Sequence, residues 1–253
     1  MDDSIKQDSL CRSSVRYLHW FKNADGQTPD GKDNMRDDTV AMTAALSVGP
    51  GIVNIAPGYY RIGNVTIPEK VILVGSGEST VIRSNGDKRI FNQSGIGHWA
   101  IRDLVLDGQT KFGADPNSDT DMQSLYGKDG NSIPDNGKTG LFVERCYAFE
   151  ITNIVAHHFE GKAIELSFSD LRLGGYCNGG TICYLTLYHN NTGIAFSERA
   201  EYITATHIKS YRNLFGCIIN GGNITIGESA FCANEIGILL QDKDNGSHGA
   251  IVN

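Results

Sequence analysis

Hydrophobic and polar positions repeat along the second half of the chain. The segments "NNTGIAF", "RNLFGCII" and "ANEIGILL" each carry an Asn three residues before a Gly, and each Gly opens a short apolar run. The segments before them, such as "EYITATHIKSYRN" and "NITIGESAFCAN", are rich in β-branched residues and partly alternate between apolar and polar. Alternation with a period of two is typical of strands that bury one face. The pattern therefore predicts short strands, with almost no helical periodicity after residue 50.

The repeat has a period in the low twenties. Gly140, Gly161, Gly193, Gly216 and Gly237 are separated by 21, 32, 23 and 21 residues, and the longest interval contains the insertion-like run "DLRLGGYCNGGT". A fixed period built from short strands is typical of a solenoid. A leucine-rich repeat is disfavoured because its consensus is missing, and a β-sandwich would not need a Gly at each period. We therefore predict an all-β parallel β-helix whose coils stack about 4.8 Å apart.

Stacked coils would place Asn190, Asn213 and Asn234 above one another at a corner. Asn suits such a corner because it tolerates the left-handed backbone conformation and its amide can bond up and down a ladder. We place His158 in the same corner column. We interpret His158 as a substitute for Asn in this column rather than as a catalytic base.

The N-terminal half contains one good helix candidate, residues 37–47, "DDTVAMTAALS". Asp37 or Asp38 can cap this helix, and the residues that follow favour helix. The next segment, "GIVNIAPGYYRIGNVTIPEKVILVGSG", predicts strand, turn and strand again. A short capping helix would cover the apolar interior that the first coil of a solenoid otherwise exposes.

The same region resembles the start of the pectate-lyase-like family. The resemblance is carried by an Asp-Gly segment, an Asp-Asp-Thr-x-Ala motif and a Pro-Gly-x-Tyr motif, at Asp25, Gly26, Asp37, Asp38, Thr39, Ala41, Pro57, Gly58 and Tyr60. It implies a single-stranded right-handed parallel β-helix with a short N-terminal capping α-helix. The family includes polysaccharide lyases, hydrolases, epimerases and bacteriophage tailspikes, so the motifs are specific for the fold and weak for function.

Two features favour the tailspike and tail-appendage branch of this resemblance. Residues 1–24 are polar and show no apolar secretion signal, so we interpret them as a leader or attachment segment that precedes a β-helix domain at 25–253. The last coil shows no evident cap, so we expect a longer native chain or cover from neighbouring subunits. The resemblance implies a homotrimer on a virion tail, in contact with other tail or neck proteins and acting outside the cell.

The composition disfavours several classes of binding partner. The 253 residues carry a formal net charge of −7, which disfavours a nucleic-acid partner. No apolar stretch is long enough for membrane insertion. The six Cys residues form no CxxC pair, so we expect most of them to be buried and reduced rather than zinc-bound.

Acidic residues near the strand ends are the catalytic candidates. Glu144 and Glu165 each lie four residues after a repeat Gly, which would place them on neighbouring coils about 5 Å apart. Glycoside hydrolysis needs two such carboxylates, and close approach raises the pKa of one of them. Asp170, at the insertion, is a third candidate. The alternative is that this column is simply the solvated end of a strand.

A long insertion at 108–139 is polar and rich in Asp, Asn and Gly, and it shows no strand pattern. Insertions of this kind often form the walls of a binding groove. Tyr126 and Phe112 are candidates for stacking on sugar rings. No cofactor is otherwise expected, although Asp115, Asp119 and Asp121 offer oxygen ligands for Ca²⁺ without matching the EF-hand spacing. A solvated loop is the alternative.

Arginines supply the remaining substrate-binding candidates: Arg145, Arg172 and Arg199. Each could pair with an anionic sugar, and in a lyase an Arg with a lowered pKa would serve as the base.

Three functions fit these observations. The first is a phage tail appendage that binds, and in its enzymatic form depolymerises, a host cell-surface polysaccharide or teichoic-acid-like polymer. The second is a cellular polysaccharide lyase or glycoside hydrolase of the pectate-lyase-like group. The third is a structural adhesin without chemistry.

Overall fold

A computed structural model describes residues 14–32, 35–86, 89–109, 139–167, 175–197, 200–240 and 249–253. A 3₁₀ helix spans Leu18–Trp20, and the helix α1 spans Thr39–Ser47. The strands β1 to β19 follow in chain order: Val15–Tyr17, Gly51–Asn54, Gly58–Ile62, Val71–Val74, Thr80–Ser84, Phe91–Ser94, Ala100–Asp107, Leu141–Glu144, Glu150–His157, Lys162–Ser167, Cys177–Asn178, Thr181–Tyr188, Thr192–Phe196, Ala200–Tyr211, Phe215–Ile219, Gly222–Gly227, Ala230–Cys232, Ile236–Leu240 and Ala250–Val252.

The strands form two sheets that share the same coils. The first sheet runs through β1-β2-β4-β7-β9-β12-β14-β16-β19, and the second through β6-β8-β10-β13-β15-β18. The strand pairs between successive coils are parallel, and β7 pairs with β9 in register from Ala100 opposite Glu150 to Asp107 opposite His157. The chain therefore alternates between the sheets as it winds, which confirms the predicted parallel β-helix.

The long strands of the first sheet bend at their middle. Asp103 in β7 and Asn153 in β9 have φ of 59° and 52°, in the left-handed region that L-residues seldom adopt. They form a column across successive coils, here called the second corner, with φ between 50° and 59°: Asp103, Asn153, Tyr184, His207 and Glu228. One left-handed residue per coil turns each long strand from one face of the coil to the next.

Left-handed residues also precede and follow the long strands. The first corner has φ between 48° and 62° and comprises Lys70, His98, Ala148, Gly179, Tyr202 and Asn223. The third corner has φ between 52° and 59° and comprises His158, His189, Arg212 and Ala233. Successive members of the third corner are joined by backbone hydrogen bonds of 3.0–3.1 Å, from His158 N to His189 O and onward to Ala233.

The predicted Asn ladder is confirmed, but the expected left-handed conformation belongs to the residue before each Asn: His189, Arg212 and Ala233. Asn190, Asn213 and Asn234 stack on consecutive coils. The amide oxygens of Asn213 and Asn234 each accept from the backbone and side-chain nitrogens of the preceding ladder Asn, and Oδ1 of Asn190 accepts from the backbone nitrogen of Phe159. Each Nδ2 also donates to the carbonyl of a residue in the long strand below, such as Ala156 and Leu187. The ladder therefore satisfies buried backbone groups where the chain turns between sheets.

Interior side chains alternate with outward ones, as the sequence pattern requires. Ile101, Ile151 and Ile182 lie in register and are fully buried. At the start of the coil Trp99 stacks on Phe149 with ring centroids 5.3 Å apart and an interplanar angle of 11°. The interior forms one continuous core along the described coils, and a smaller, separate cluster contains Ala195, Phe215 and Ile218.

The predicted helix is confirmed and begins at Thr39. Its buried face, Ala41, Met42, Ala45 and Leu46, belongs to the same core as the coils. Asn23 fixes its first turn: Asn23 Oδ1 accepts from Ala41 N at 3.3 Å, and Asn23 Nδ2 donates to Asp38 at 2.7 Å.

Part of the predicted leader, residues 1–24, is integrated into the body. The strand β1 pairs in parallel with β2, and Leu18 is buried against the core. Among the described residues, no helix is long and apolar enough to cross a lipid bilayer.

Candidate functional site

The two predicted catalytic glutamates lie on neighbouring strands of the second sheet, but not opposite one another. In the ladder between β8 and β10, Glu165 pairs with Phe142 and Glu144 pairs with Ser167. The expected alignment of Gly161 with the other repeat glycines was wrong, since Ala163 lies opposite the position of Gly140. Glu144 and Glu165 therefore share the outer face of the sheet as diagonal neighbours.

The register has a physical cause. Aligning Gly161 with Gly140 would place Lys162 opposite Leu141, which is fully buried. An ammonium group in that column would lose its hydration without a partner. The observed register places Ile164 opposite Leu141 and Leu166 opposite Val143, so apolar side chains fill the interior.

Both glutamates are buried and paired with cations. Glu144 and Glu165 are 7% and 5% exposed. The ammonium of Lys162 contacts Glu165 Oε1, and the hydroxyl of Ser197 donates to the same oxygen at 3.4 Å. Glu144 lies 3.6 Å from the guanidinium of Arg145, which also donates to Ser94 at 2.9 Å. Arg145, predicted to bind substrate, therefore already contacts Glu144 and Ser94.

Several predicted site residues lie outside the described residues, and their roles stay predictions: Asp170, Tyr126, Arg172, Arg199, Phe112, Asp115, Asp119 and Asp121.

The interpretation of His158 as a member of the Asn column was wrong. His158 belongs to the third corner, one residue before that column, and Phe159 takes the place below Asn190. The side chain of His158 contacts His157 instead of joining the ladder.

A histidine cluster forms where the long strands reach the third corner; it comprises Asp107, His157, His158 and His189. The Nδ1 atoms of His157 and His158 are 2.7 Å apart, and Asp107 Oδ1 lies 3.6 Å from His157 Nδ1. His189 stands on the next coil, its ring centroid 5.4 Å from that of His158. The polar insertion at 108–139 begins directly after Asp107.

Burial keeps these imidazoles neutral. It lowers the pKa of His157 to about 4, although the carboxylate of Asp107 opposes the shift. Burial also lowers the pKa values of His158 and His189. Three neutral imidazoles beside one carboxylate can move protons or donate lone pairs to a ligand.

An aromatic stack continues from the cluster along the coil axis. The ring of His157 stacks on Tyr188 at 5.0 Å, and Tyr188 stacks on Tyr211 at 5.4 Å with an interplanar angle of 12°. Burial raises the pKa of Tyr188, with a further contribution from Tyr211. The sequence contained a signal for this stack, because Tyr188 and Tyr211 stand two residues before ladder asparagines.

A second surface, here called the tyrosine face, lies between the first and second corners. Tyr147 and Tyr202 flank it at the first corner and Tyr184 at the second, with 44%, 66% and 56% of their surfaces exposed. Between them, outward-facing threonines form columns, with Thr181 opposite Thr204 and Thr204 opposite Thr225. The ring of Tyr184 lies 4.6 Å from that of His207. Sequence reasoning did not identify this face.

Similar solved structures share this architecture. The tailspike protein gp49 from Acinetobacter baumannii bacteriophage Fri1, a capsular polysaccharide depolymerase, matches 94% of this chain over 45% of its own length, with 12% identity and a TM-score of 0.67. Pre-mature bacteriophage phi29 gene product 12 matches 85% of this chain over 29% of its own, with 16% identity and a TM-score of 0.60. The chain therefore has the fold of a right-handed parallel β-helix.

An enzyme has the same fold: an iota-carrageenase solved with iota-carrageenan fragments matches 90% of this chain over 56% of its own length, with 14% identity and a TM-score of 0.53. This β-helix spans less than half the length of the two phage proteins. No protein-family model matches the sequence, and neither does any curated protein.

Proposed function

We propose that this β-helix is the body of a bacteriophage tail appendage that binds a cell-surface polysaccharide. The observation that carries the proposal is the tyrosine face. Its exposed tyrosines flank the flat threonine columns on consecutive coils, so aromatic rings and hydroxyls recur along the coil axis. Tyrosine rings offer an apolar surface with a polar tip, which suits the C–H faces and hydroxyls of sugars. The depolymerase activity and phage source of the similar tailspike support the same assignment.

A repeating ligand suits a repeating surface. The threonine column places Thr181, Thr204 and Thr225 on successive coils about 4.8 Å apart, whereas the tyrosines stand at different positions of their coils. A glycan chain lying along the coil axis can therefore make the same contacts several times, and weak single contacts sum to useful affinity. A homotrimer on the virion tail would multiply these contacts further, and sedimentation equilibrium of the full chain tests that part of the proposal.

The experiment is affinity electrophoresis of the full chain in gels containing purified capsular polysaccharides, teichoic acids or neutral glucans. The double variant Tyr184→Ala and Tyr202→Ala should bind the polymer at least about tenfold more weakly, because two anchoring rings at the surface are removed. The weaker binding appears as reduced retardation in the gel. Tyr17→Ala removes another exposed tyrosine at the N-terminal end and serves as the matched control. Equal retardation of the double variant and the native chain would refute the role of the tyrosine face.

Cleavage of the bound polymer is a finer proposal, with Glu144 and Glu165 as the carboxylate pair. Diagonal neighbours on adjacent strands have Cα atoms about 8 Å apart. Retaining glycosidases hold their carboxyl groups about 5–5.5 Å apart and inverting ones about 6.5–9.5 Å apart, so the separation of the two carboxyl groups with substrate bound would decide the stereochemical outcome. Shortened chains in a native digest, absent with Glu144→Gln and Glu165→Gln, would support hydrolysis. An unsaturated product would instead identify a lyase.

The second candidate function is polysaccharide binding without catalysis, and the burial of both glutamates favours it. Each carboxylate already has a cation beside it, Lys162 or Arg145. If binding persists while no polymer is shortened, the glutamates are structural ion-pair partners and the chain is an adhesin.

A further inference from the structure

The histidine cluster has the donor set of a metal site. Asp107, His157 and His158 each offer one ligand atom, and these atoms all lie within 4.8 Å of one another. Ligands on a tetrahedral zinc ion, at about 2.0–2.1 Å from it, are about 3.3 Å apart. The Nδ1–Nδ1 distance of 2.7 Å and the Oδ1–Nδ1 distance of 3.6 Å lie on either side of that value. Small side-chain rotations would therefore bring the three atoms to the spacing of a metal site.

His189 provides an independent observation. Its side chain is buried, with 9% of the residue exposed. Both of its ring nitrogens lack a hydrogen-bond partner among the described residues. A buried imidazole without partners is costly, and each such case in a folded protein requires an explanation. A ligand bound between His189 and His158 would supply the missing partner.

The carboxylate of Asp107 is held in place by two donors that do not use all of its lone pairs. Arg83 Nε donates to Asp107 Oδ2 at 3.1 Å, and the backbone nitrogen of Gln109 donates to Oδ1 at 2.9 Å. An ionised carboxylate has about four lone-pair sites, so Oδ1 retains a lone pair toward His157. Outer partners of this kind orient ligands in known metal sites.

We propose that Asp107, His157 and His158 bind a divalent transition-metal ion of the zinc class, with His189 as the fourth ligand. Imidazole nitrogens with one carboxylate select zinc and its neighbours rather than calcium or magnesium, which prefer oxygen ligands. In the 2.7 Å contact one Nδ1 carries a proton and the other a lone pair. Binding shifts that proton to Nε2 of the same ring, and both Nδ1 lone pairs then face the metal. This inference is independent of polysaccharide binding.

The test is isothermal titration of the full chain, free of any polyhistidine tag and stripped with a chelator, using zinc chloride. We expect one-to-one binding, and a loss of affinity of at least about tenfold in His157→Gln and in His158→Gln. His207→Gln is the matched control, because His207 is also paired with a carboxylate, Glu228, at 2.7 Å. It should bind zinc like the native chain.

Several results would overturn the proposal: no zinc binding by the native chain, equal affinity in the cluster variants, or tighter binding of calcium than of zinc. Cobalt substitution supplies a second measurement if a variant fails to fold. A tetrahedral visible spectrum without thiolate charge-transfer bands supports the histidine cluster. Thiolate bands would instead point to a cysteine, such as the exposed Cys232.

Discussion

The side chain of Asn190 donates from Nδ2 to Oδ1 of Asn213 across a distance of 3.0 Å, and Asn213 makes the same bond to Asn234 at 3.1 Å. Asn213 is buried in the middle of this ladder. Asn213→Ala would leave the backbone N–H of Asn190 and one of the two N–H groups of its amide without an acceptor, and each such loss costs about 1–3 kcal/mol. We expect a decrease of about 3 kcal/mol in the free energy of unfolding, measured by urea denaturation. Asn54→Ala, in a half-buried strand position, should change it by less than about 0.5 kcal/mol.

Left-handed corners occupied by residues other than Gly carry backbone strain. Ala148 has φ of 48° and is exposed at the first corner. Ala148→Gly should stabilise the protein by about 0.5 kcal/mol, because relief of the left-handed strain exceeds the entropic cost of Gly. Thermal and urea unfolding midpoints both test this. Ala44→Gly, inside α1, is the contrasting control and should destabilise by about 1 kcal/mol. A loss of stability in Ala148→Gly would contradict the assigned corner conformation.

Asp38 gives the protein a defined pH dependence. Burial raises the pKa of this carboxyl above its ordinary value of 3.8, although Asn23, the Arg61 backbone and Arg36 oppose the shift. The folded state therefore holds the proton more tightly than the unfolded state, so this group stabilises the fold at low pH. Its contribution is lost as the pH rises through the raised pKa.

The corresponding variant is Asp38→Asn, which keeps an oxygen for the neighbouring donors and cannot ionise. Its stability relative to the native chain should increase from about pH 4 to about pH 7. Asp25→Asn, at an exposed turn, controls for the general effect of removing a negative charge. Relative stability that falls with pH would show that the ion pair with Arg36 outweighs burial.

The contact between Lys162 and Glu165 can be tested as a structural pair. Removing one partner of a buried ion pair typically costs about 3–5 kcal/mol, whereas replacing both with apolar groups is often near neutral. We therefore expect Lys162→Met to destabilise by about 3 kcal/mol and Lys162→Met with Glu165→Leu to recover most of that loss. Urea denaturation of the four-member cycle measures the coupling. Full additivity would mean that the two side chains do not interact in solution.

Much of the coil was predictable because its signals are local. The Asn-x-x-Gly phrase recurs after the third corner on three consecutive coils, and the α1 segment consists largely of residues that favour helix. The register of the second sheet was not predictable from glycine spacing, because either Gly161 or Ala163 is small enough to stand opposite Gly140. The choice between them depends on whether Lys162 or Ile164 faces Leu141, which is a contact between coils.

The site was less predictable than the fold. The left-handed residues at the corners include Tyr184 and Tyr202 of the tyrosine face, and a tyrosine carries no signal for this conformation in a single sequence. Asp107 and His157 are 50 positions apart in the chain and become neighbours only through the register of β7 and β9. Their proximity therefore follows from the fold and not from any motif.

The matching corners have an evolutionary consequence. A segment that runs from one ladder asparagine to the next, such as Asn190 to Asn213, begins and ends with the same geometry and the same hydrogen-bonding groups. Duplicating or deleting such a segment would join surfaces that already fit, and would change the height of the body by about 4.8 Å. Genes for this architecture can therefore lengthen or shorten their products by whole rungs, without redesigning the interior at the junction.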